Sequence, residues 1–259
     1  MQERPSPDLS RKLTLTATLA ALYVLGRIVP VSQLIGTRGT ITAGGIIAPL
    51  IGIMLEPSYG VAAVLIGTMV GSLVPWNPLK FAGFDFLPGA LNVVIVSFAV
   101  RGKKSRSIVM FLFMLGLFLV TPNTEIFVGK FYSPPVPYLW LHLVALIVLI
   151  SPLSNQLATR LNSTNRAFVL LAVTVLAFTG TMIEHVTGGI LYALFAGGGA
   201  LFAWPFIYLA YPIERAALVA GAVLVCTPTI ILLRSVIRER IAAKSSALAP
   251  GPTSETQRL

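Results

Sequence analysis

Charge is the first thing this chain lacks. Asp, Glu, Lys and Arg make up 11% of its 259 residues, where soluble domains carry about a quarter. Histidine and cysteine are scarcer still: His142, His185 and Cys226 are the full complement. That set holds no Cys/His zinc constellation. One cysteine forms no intrachain disulfide and leaves the redox compartment open. The sequence contains no G-x-x-x-x-G-K-[ST], so no P-loop cradles nucleotide phosphates, and neither H-E-x-x-H nor G-x-S-x-G occurs. No metal or cofactor is expected, and an enzyme is not the favoured reading, although acid–base work by carboxylates alone needs none of these motifs.

What fills the space is apolar. Hydrophobic residues are 56% of the chain and the mean hydropathy is +0.85, the signature of an integral membrane protein. No ten-residue alternation of the barrel kind is visible, so helices are expected to do the crossing. The expected fold is all-α: a compact bundle of about eight transmembrane helices, several of them short or broken. Residues 1–12 form a basic cytoplasmic tail, 13–234 a single membrane domain, and 235–259 a disordered cytoplasmic tail.

Spans are expected at about 13–29, 41–55, 61–75, 86–100, 107–120, 137–153, 167–186 and 213–233. Short spans interrupted by Gly and Pro are tolerated where they are buried or line a cavity. Residues 190–211 are long enough to cross but are broken by Gly197-Gly198-Gly199 and Pro205. Reading them as a re-entrant or outer-surface piece puts both termini in the cytoplasm. Arg4, Arg11, Lys12, Arg101, Lys103, Lys104, Arg106, Arg160, Arg166, Arg234, Arg238, Arg240, Lys244 and Arg258 then lie inside, leaving Arg27, Arg38, Lys80, Lys130 and Arg215 elsewhere. The positive-inside rule accounts for that partition, and for the net charge of +10 without nucleic acid as a partner.

The first three apolar segments each carry small residues four apart: Ala17 and Ala21; Gly44, Ala48 and Gly52; Ala63, Gly67 and Gly71. Such positions share one helix face, and in lipid small residues let helices approach closely. Ile41, Thr42 and Gly44 form an I-T-x-G-like entry to the second segment, and Glu56-Pro57-Ser58-Tyr59-Gly60 a G-P-x-Y-G-like break after it. On these residues the run from Leu13 to Leu73, about a quarter of the chain, resembles the start of the S component of an energy-coupling factor (ECF) transporter. That family's first helix has an A-x-x-x-A pair, matched by Ala17 and Ala21. Two departures stand out: Thr68 replaces an acidic residue found in many such sequences, and the chain is longer than the usual six-helix member. The resemblance implies a vitamin or similar compound bound at the outer face. It also implies partners: a separate membrane coupling (T) subunit, docked through Ala17 and Ala21, and ABC-type ATPase subunits.

The polar and aromatic residues of the expected outer half supply the candidate substrate site: Arg27, Arg38, Trp76, Asn92, Glu125, Glu184, His185 and Trp204, with His142 nearby. Tryptophans there also fit an interfacial belt. Ionisable groups inside a span are costly and usually face a cavity or a partner, which singles out Arg27 and Glu184. Glu184 and His185 are expected to close their helix at Thr187-Gly188-Gly189, with an interfacial Glu–His contact or a Glu184–Arg215 pair as the bland alternative. The function expected is substrate capture for micronutrient uptake at the cell membrane, with the Pro30–Ile41 loop closing the pocket. The alternatives are a stand-alone secondary carrier or channel, or a membrane-embedded enzyme.

Overall fold

The computed structural model describes residues 7–33, 40–129 and 132–248. Arg38 lies outside the described residues. Among the described residues nine helices follow in order: α1 (Pro7–Ile28), α2 (Gly44–Met54), α3 (Pro57–Gly71), α4 (Leu87–Val100), α5 (Lys104–Val120), α6 (Trp140–Ile150), the short α7 (Leu157–Leu161), α8 (Arg166–Ala196) and α9 (Ala200–Leu248). The fold they form is all-helical apart from two short antiparallel ribbons. One pairs β1 (Pro30–Gln33) with β2 (Thr40–Thr42), the other β3 (Phe127–Val128) with β4 (Val136–Pro137). Neither ribbon is expected from the sequence; strands of two to four residues carry too little pattern to be read.

The breaks have local causes. Glu56 is extended and Pro57 starts α3 at a position where its missing N–H costs nothing. Asn165 opens α8 by accepting the Ala167 N–H at 2.9 Å. The 31 residues of α8 rise about 46 Å. They run straight through Thr187-Gly188-Gly189, where the sequence reading ends the helix. Gly189 is there for packing: a Cβ on it would meet the Phe118 ring at 3.3 Å and Trp204 at 3.5 Å. The glycine that does turn the chain is Gly197, at φ +55°. Residues 190–211 are the end of α8 and the start of α9, joined by a bend at Gly197–Gly199. Helix α9 continues to Leu248, into the segment expected to begin the C-terminal tail.

Helices α4 and α8 form the most extensive contact in the bundle, and α4 also packs on α2, α3 and α5. Glycines permit these approaches. A Cβ on Gly52 would come within 2.7 Å of the Val93 carbonyl oxygen, one on Gly67 within 2.8 Å of the Tyr23 ring, and one on Gly180 would strike the Asn92 amide. Two buried clusters result. One gathers α1–α4 with the first half of α8 and the second half of α9. The other gathers α5, α6, the later half of α8 and the start of α9 around Phe118, Tyr138 and Trp204.

Among the described residues, the helical run Arg166–Val236 is the one stretch long and apolar enough to cross a membrane by length and composition; α2, α3, α6 and the run Phe84–Val100 are apolar but shorter.

Candidate functional site

The two ends of the bundle differ in chemistry. At one end, basic side chains cap the carbonyl ends of helices. Arg101 Nη1 donates to Gly52 O at 3.1 Å, Lys104 Nζ to Ile150 O at 2.7 Å, and Arg234 Nη1 to Ser163 O at 3.2 Å. Lys12 pairs there with Asp8 at 3.3 Å and Glu56 at 3.2 Å. At the other end, neutral donors close α1: Trp76 Nε1 to Ile28 O at 3.1 Å and Asn77 Nδ2 to Arg27 O at 2.9 Å.

A cavity of about 130 Å³ lies at this second end, where the two clusters meet. Helix α1 contributes Tyr23 and Arg27 to its lining, the β2 strand Thr40–Thr42, and the loop after α3 Lys80, Phe81 and Asp85. Glu184, His185, Gly188 and Gly189 come from α8; Trp204, Ile207, Glu214 and Arg215 come from α9, and Tyr138 from the turn before α6.

Each carboxylate in the lining has a partner. Glu184 Oε2 accepts from Asn92 Nδ2 at 2.7 Å. Asp85 accepts the Lys80 and Phe81 N–H groups at 2.8 and 2.9 Å, which fixes the loop. Glu214 Oε1 accepts the Ser32 hydroxyl at 2.6 Å, tying the β1–β2 ribbon to α9. The cations are less satisfied. Arg215 is 3% exposed; its closest carboxylate oxygen is Glu214 Oε2 at 3.9 Å and its Nη1 lies 3.4 Å from Thr181 Oγ1. Its Nε, and Nε and Nη2 of Arg27, have no hydrogen-bond partner among the described residues. Lys80 donates to the Thr40 carbonyl, and burial together with the neighbouring Arg27 charge lowers its ammonium to about 8 against the opposing pull of Asp85.

The apolar wall is aromatic. Trp204 meets Tyr138 edge-on at 5.0 Å and anchors its Nε1 on Asn123 O at 2.7 Å. His185 stacks on Tyr211 at 4.7 Å and its Nδ1 sits 3.0 Å from Nε2 of the fully buried His142. The neighbouring pair Glu184 and His185 thus splits, one toward α4 and the other toward α6, as a 100° step on a helix requires.

Of the residues singled out from sequence, Arg27, Glu184, His185 and Trp204 line the cavity, and Asn92 stands directly behind Glu184. Trp76 does not: it is exposed and caps α1. Glu125, in the connection before β3, also lies outside the lining. Glu184 and Arg215 make no ion pair within 4.0 Å, and Glu184 makes no hydrogen bond to His185. Sequence reasoning passed over Tyr23, Lys80, Asp85, Tyr138 and Glu214. Ala17 and Ala21 are exposed on α1, clear of the internal packing of the bundle.

No protein-family profile and no solved structure matches the chain. It is similar to an uncharacterized protein of the archaeon Methanocaldococcus jannaschii, 26% identical over 159 residues. The match covers 61% of this chain, which spans about half the length of that relative.

Proposed function

We propose that this chain is a multi-pass membrane protein of the cell membrane and the substrate-capture subunit of an ECF-type micronutrient transporter. Its outward surface supports the membrane setting. Phe113 and Ile147 are each 65% exposed, Leu224 74% and Ile213 75%, on helices whose faces would aggregate in water. The end capped by Arg101, Lys104 and Arg234 belongs in the cytoplasm by the positive-inside rule. The cavity then faces outward, with Thr40–Thr42 of the β1–β2 ribbon in its lining. That cavity at the non-basic end, with Arg27, Lys80, Glu184 and Arg215 in its lining, is the observation that carries the reading. Transport by this route relies on a separate membrane coupling subunit and ATPase subunits.

The test is to extract the full-length chain from membranes and denature it, then identify released small molecules by mass spectrometry. The companion variant is Gly188→Leu. Gly188 lines the cavity and nothing lies within 4 Å of where its Cβ would stand, so a larger side chain starts from open space there. One compound released in proportion to protein, and lost from the folded variant, is expected. A folded wild-type chain that releases nothing would sink the capture reading.

A further inference from the structure

The cavity contains more unmet donors than acceptors, and the imbalance describes its occupant. Nε and Nη2 of Arg27, Nε of Arg215 and the Tyr138 hydroxyl are buried without a hydrogen-bond partner among the described residues. All three residues line the cavity. On the acceptor side, Asp85, Glu184 and Glu214 each already bind a donor of the protein. A guanidinium is a donor under all conditions and cannot shed its proton to escape the cost of burial. An unpaired buried charge is costly to a fold, and planar guanidinium forks match carboxylate oxygens. Beside the arginines stands an aromatic corner, Tyr138 meeting Trp204 edge-on at 5.0 Å, which suits a ring.

We infer that the occupant is a small carboxylate carrying a planar ring, its oxygens held by Arg27 and Arg215 and its ring laid against Tyr138 and Trp204. This rests on the capture reading and names its substrate class. A cation meets three positive side chains in the lining, Arg27, Lys80 and Arg215, and three carboxylates that each already accept from a protein donor. A neutral ring leaves the arginine donors unmet. The same carboxylate or phosphate oxygens are offered by a free solute and by an anionic lipid headgroup; a lining drawn from α1, α8 and α9 together, inside the bundle, favours the free solute.

The probes are benzoate, benzamide and benzylamine, matched in ring and differing in charge, with binding to the full-length chain in phosphatidylcholine nanodiscs followed by ligand-detected NMR. Benzoate is expected to bind at least tenfold more tightly than benzamide, and benzylamine not at all. Arg215→Gln is expected to erase the benzoate preference. Should that variant not fold, Arg27→Gln supplies the same comparison from a partly exposed position. Benzamide or benzylamine binding as well as benzoate overturns the inference, as does absence of benzoate binding. Adding phosphatidylglycerol should leave benzoate affinity unchanged; competition by it overturns the free-solute assignment. The capture reading is judged separately: release of a neutral or cationic compound from purified protein defeats the carboxylate and leaves capture standing.

Discussion

Asn92 on α4 donates its amide to Oε2 of Glu184 on α8 at 2.7 Å, bridging the most extensive helix pair in the bundle directly behind the cavity. Asn92 is fully buried. Asn92→Leu leaves a carboxylate without its protein donor and should destabilise by about 1–3 kcal/mol. Glu184→Gln keeps an oxygen that accepts from Asn92 and should cost less. Denaturant titration of Asn92→Leu, Glu184→Met and their double variant measures the coupling. A double-variant effect equal to the sum of the singles would show that the bond contributes nothing.

Two glycines make opposite predictions from the same substitution. Gly180→Ala drives a methyl into the Asn92 amide, and overpacking of this kind costs about 1–3 kcal/mol. Gly116, inside α5, has open space around its Cβ position, so Gly116→Ala should stabilise by up to about 1 kcal/mol through helix propensity. Thermal unfolding in detergent distinguishes them by sign.

Much of this arrangement is legible in the amino-acid sequence. Apolar runs, the Glu56-Pro57 break and the basic turn at 101–106 place the helices, and the expense of burying charge points to Arg27 and Glu184, both of which line the cavity. What was hidden has physical reasons. Tyr23 and Tyr138 read as ordinary aromatics of an apolar chain. Glu214, adjacent to Arg215 in sequence, brings the carboxylate oxygen nearest to it, at 3.9 Å, and was not singled out beside Glu184. Trp76 looked like a ligand residue because sequence does not reveal that a carbonyl at the end of α1 waits for its N–H. The helix end was misplaced at Gly188-Gly189 because glycine stops a helix or admits a neighbour according to what packs on it. Here Phe118 and Trp204 decide.

Lys80 gives the cavity a pH dependence. Burial, helped by Arg27 and opposed by Asp85, lowers its pKa from 10.5 to about 8. A bound carboxylate favours the charged amine, so benzoate affinity should be level well below pH 8 and fall as pH rises through 8, by no more than tenfold per unit. Lys80→Gln should flatten the profile. For folding the sign reverses. The unfolded chain holds more protons between pH 8 and 10.5, so this group's penalty on the fold is full below 8 and fades toward 10.5.

Topology is checked with single cysteines in a Cys226→Ala background, since Cys226 is buried in the bundle. Ser105, exposed beside the basic turn, and Ser133, exposed in the connection between α5 and α6, lie at opposite ends. In intact cells an impermeant thiol reagent should label Ser133→Cys and spare Ser105→Cys until the membrane is opened. Labelling at position 105 in sealed cells would place the basic end outside and invert the proposed orientation.

The outward face of α1 carries the remaining prediction. Ala17 and Ala21 are exposed together with Leu13, Thr14, Thr18 and Leu25, while Thr16, Leu19, Ala20 and Tyr23 form the buried face. Helix α1 packs chiefly on α3, so a large side chain at 17 or 21 has no internal neighbour to displace. Ala17→Trp and Ala21→Trp should change stability by less than about 0.5 kcal/mol, as substitutions away from packing contacts do. A helical partner seated on this stripe needs the close approach that small residues allow. Cellular uptake of the compound released from the purified wild-type chain should then fall at least tenfold in either variant, with binding of that compound to purified protein unchanged. Wild-type uptake in both tryptophan variants would remove the coupling surface from α1; loss of binding in step with uptake would mean that the stripe belongs to internal packing and the coupling idea fails.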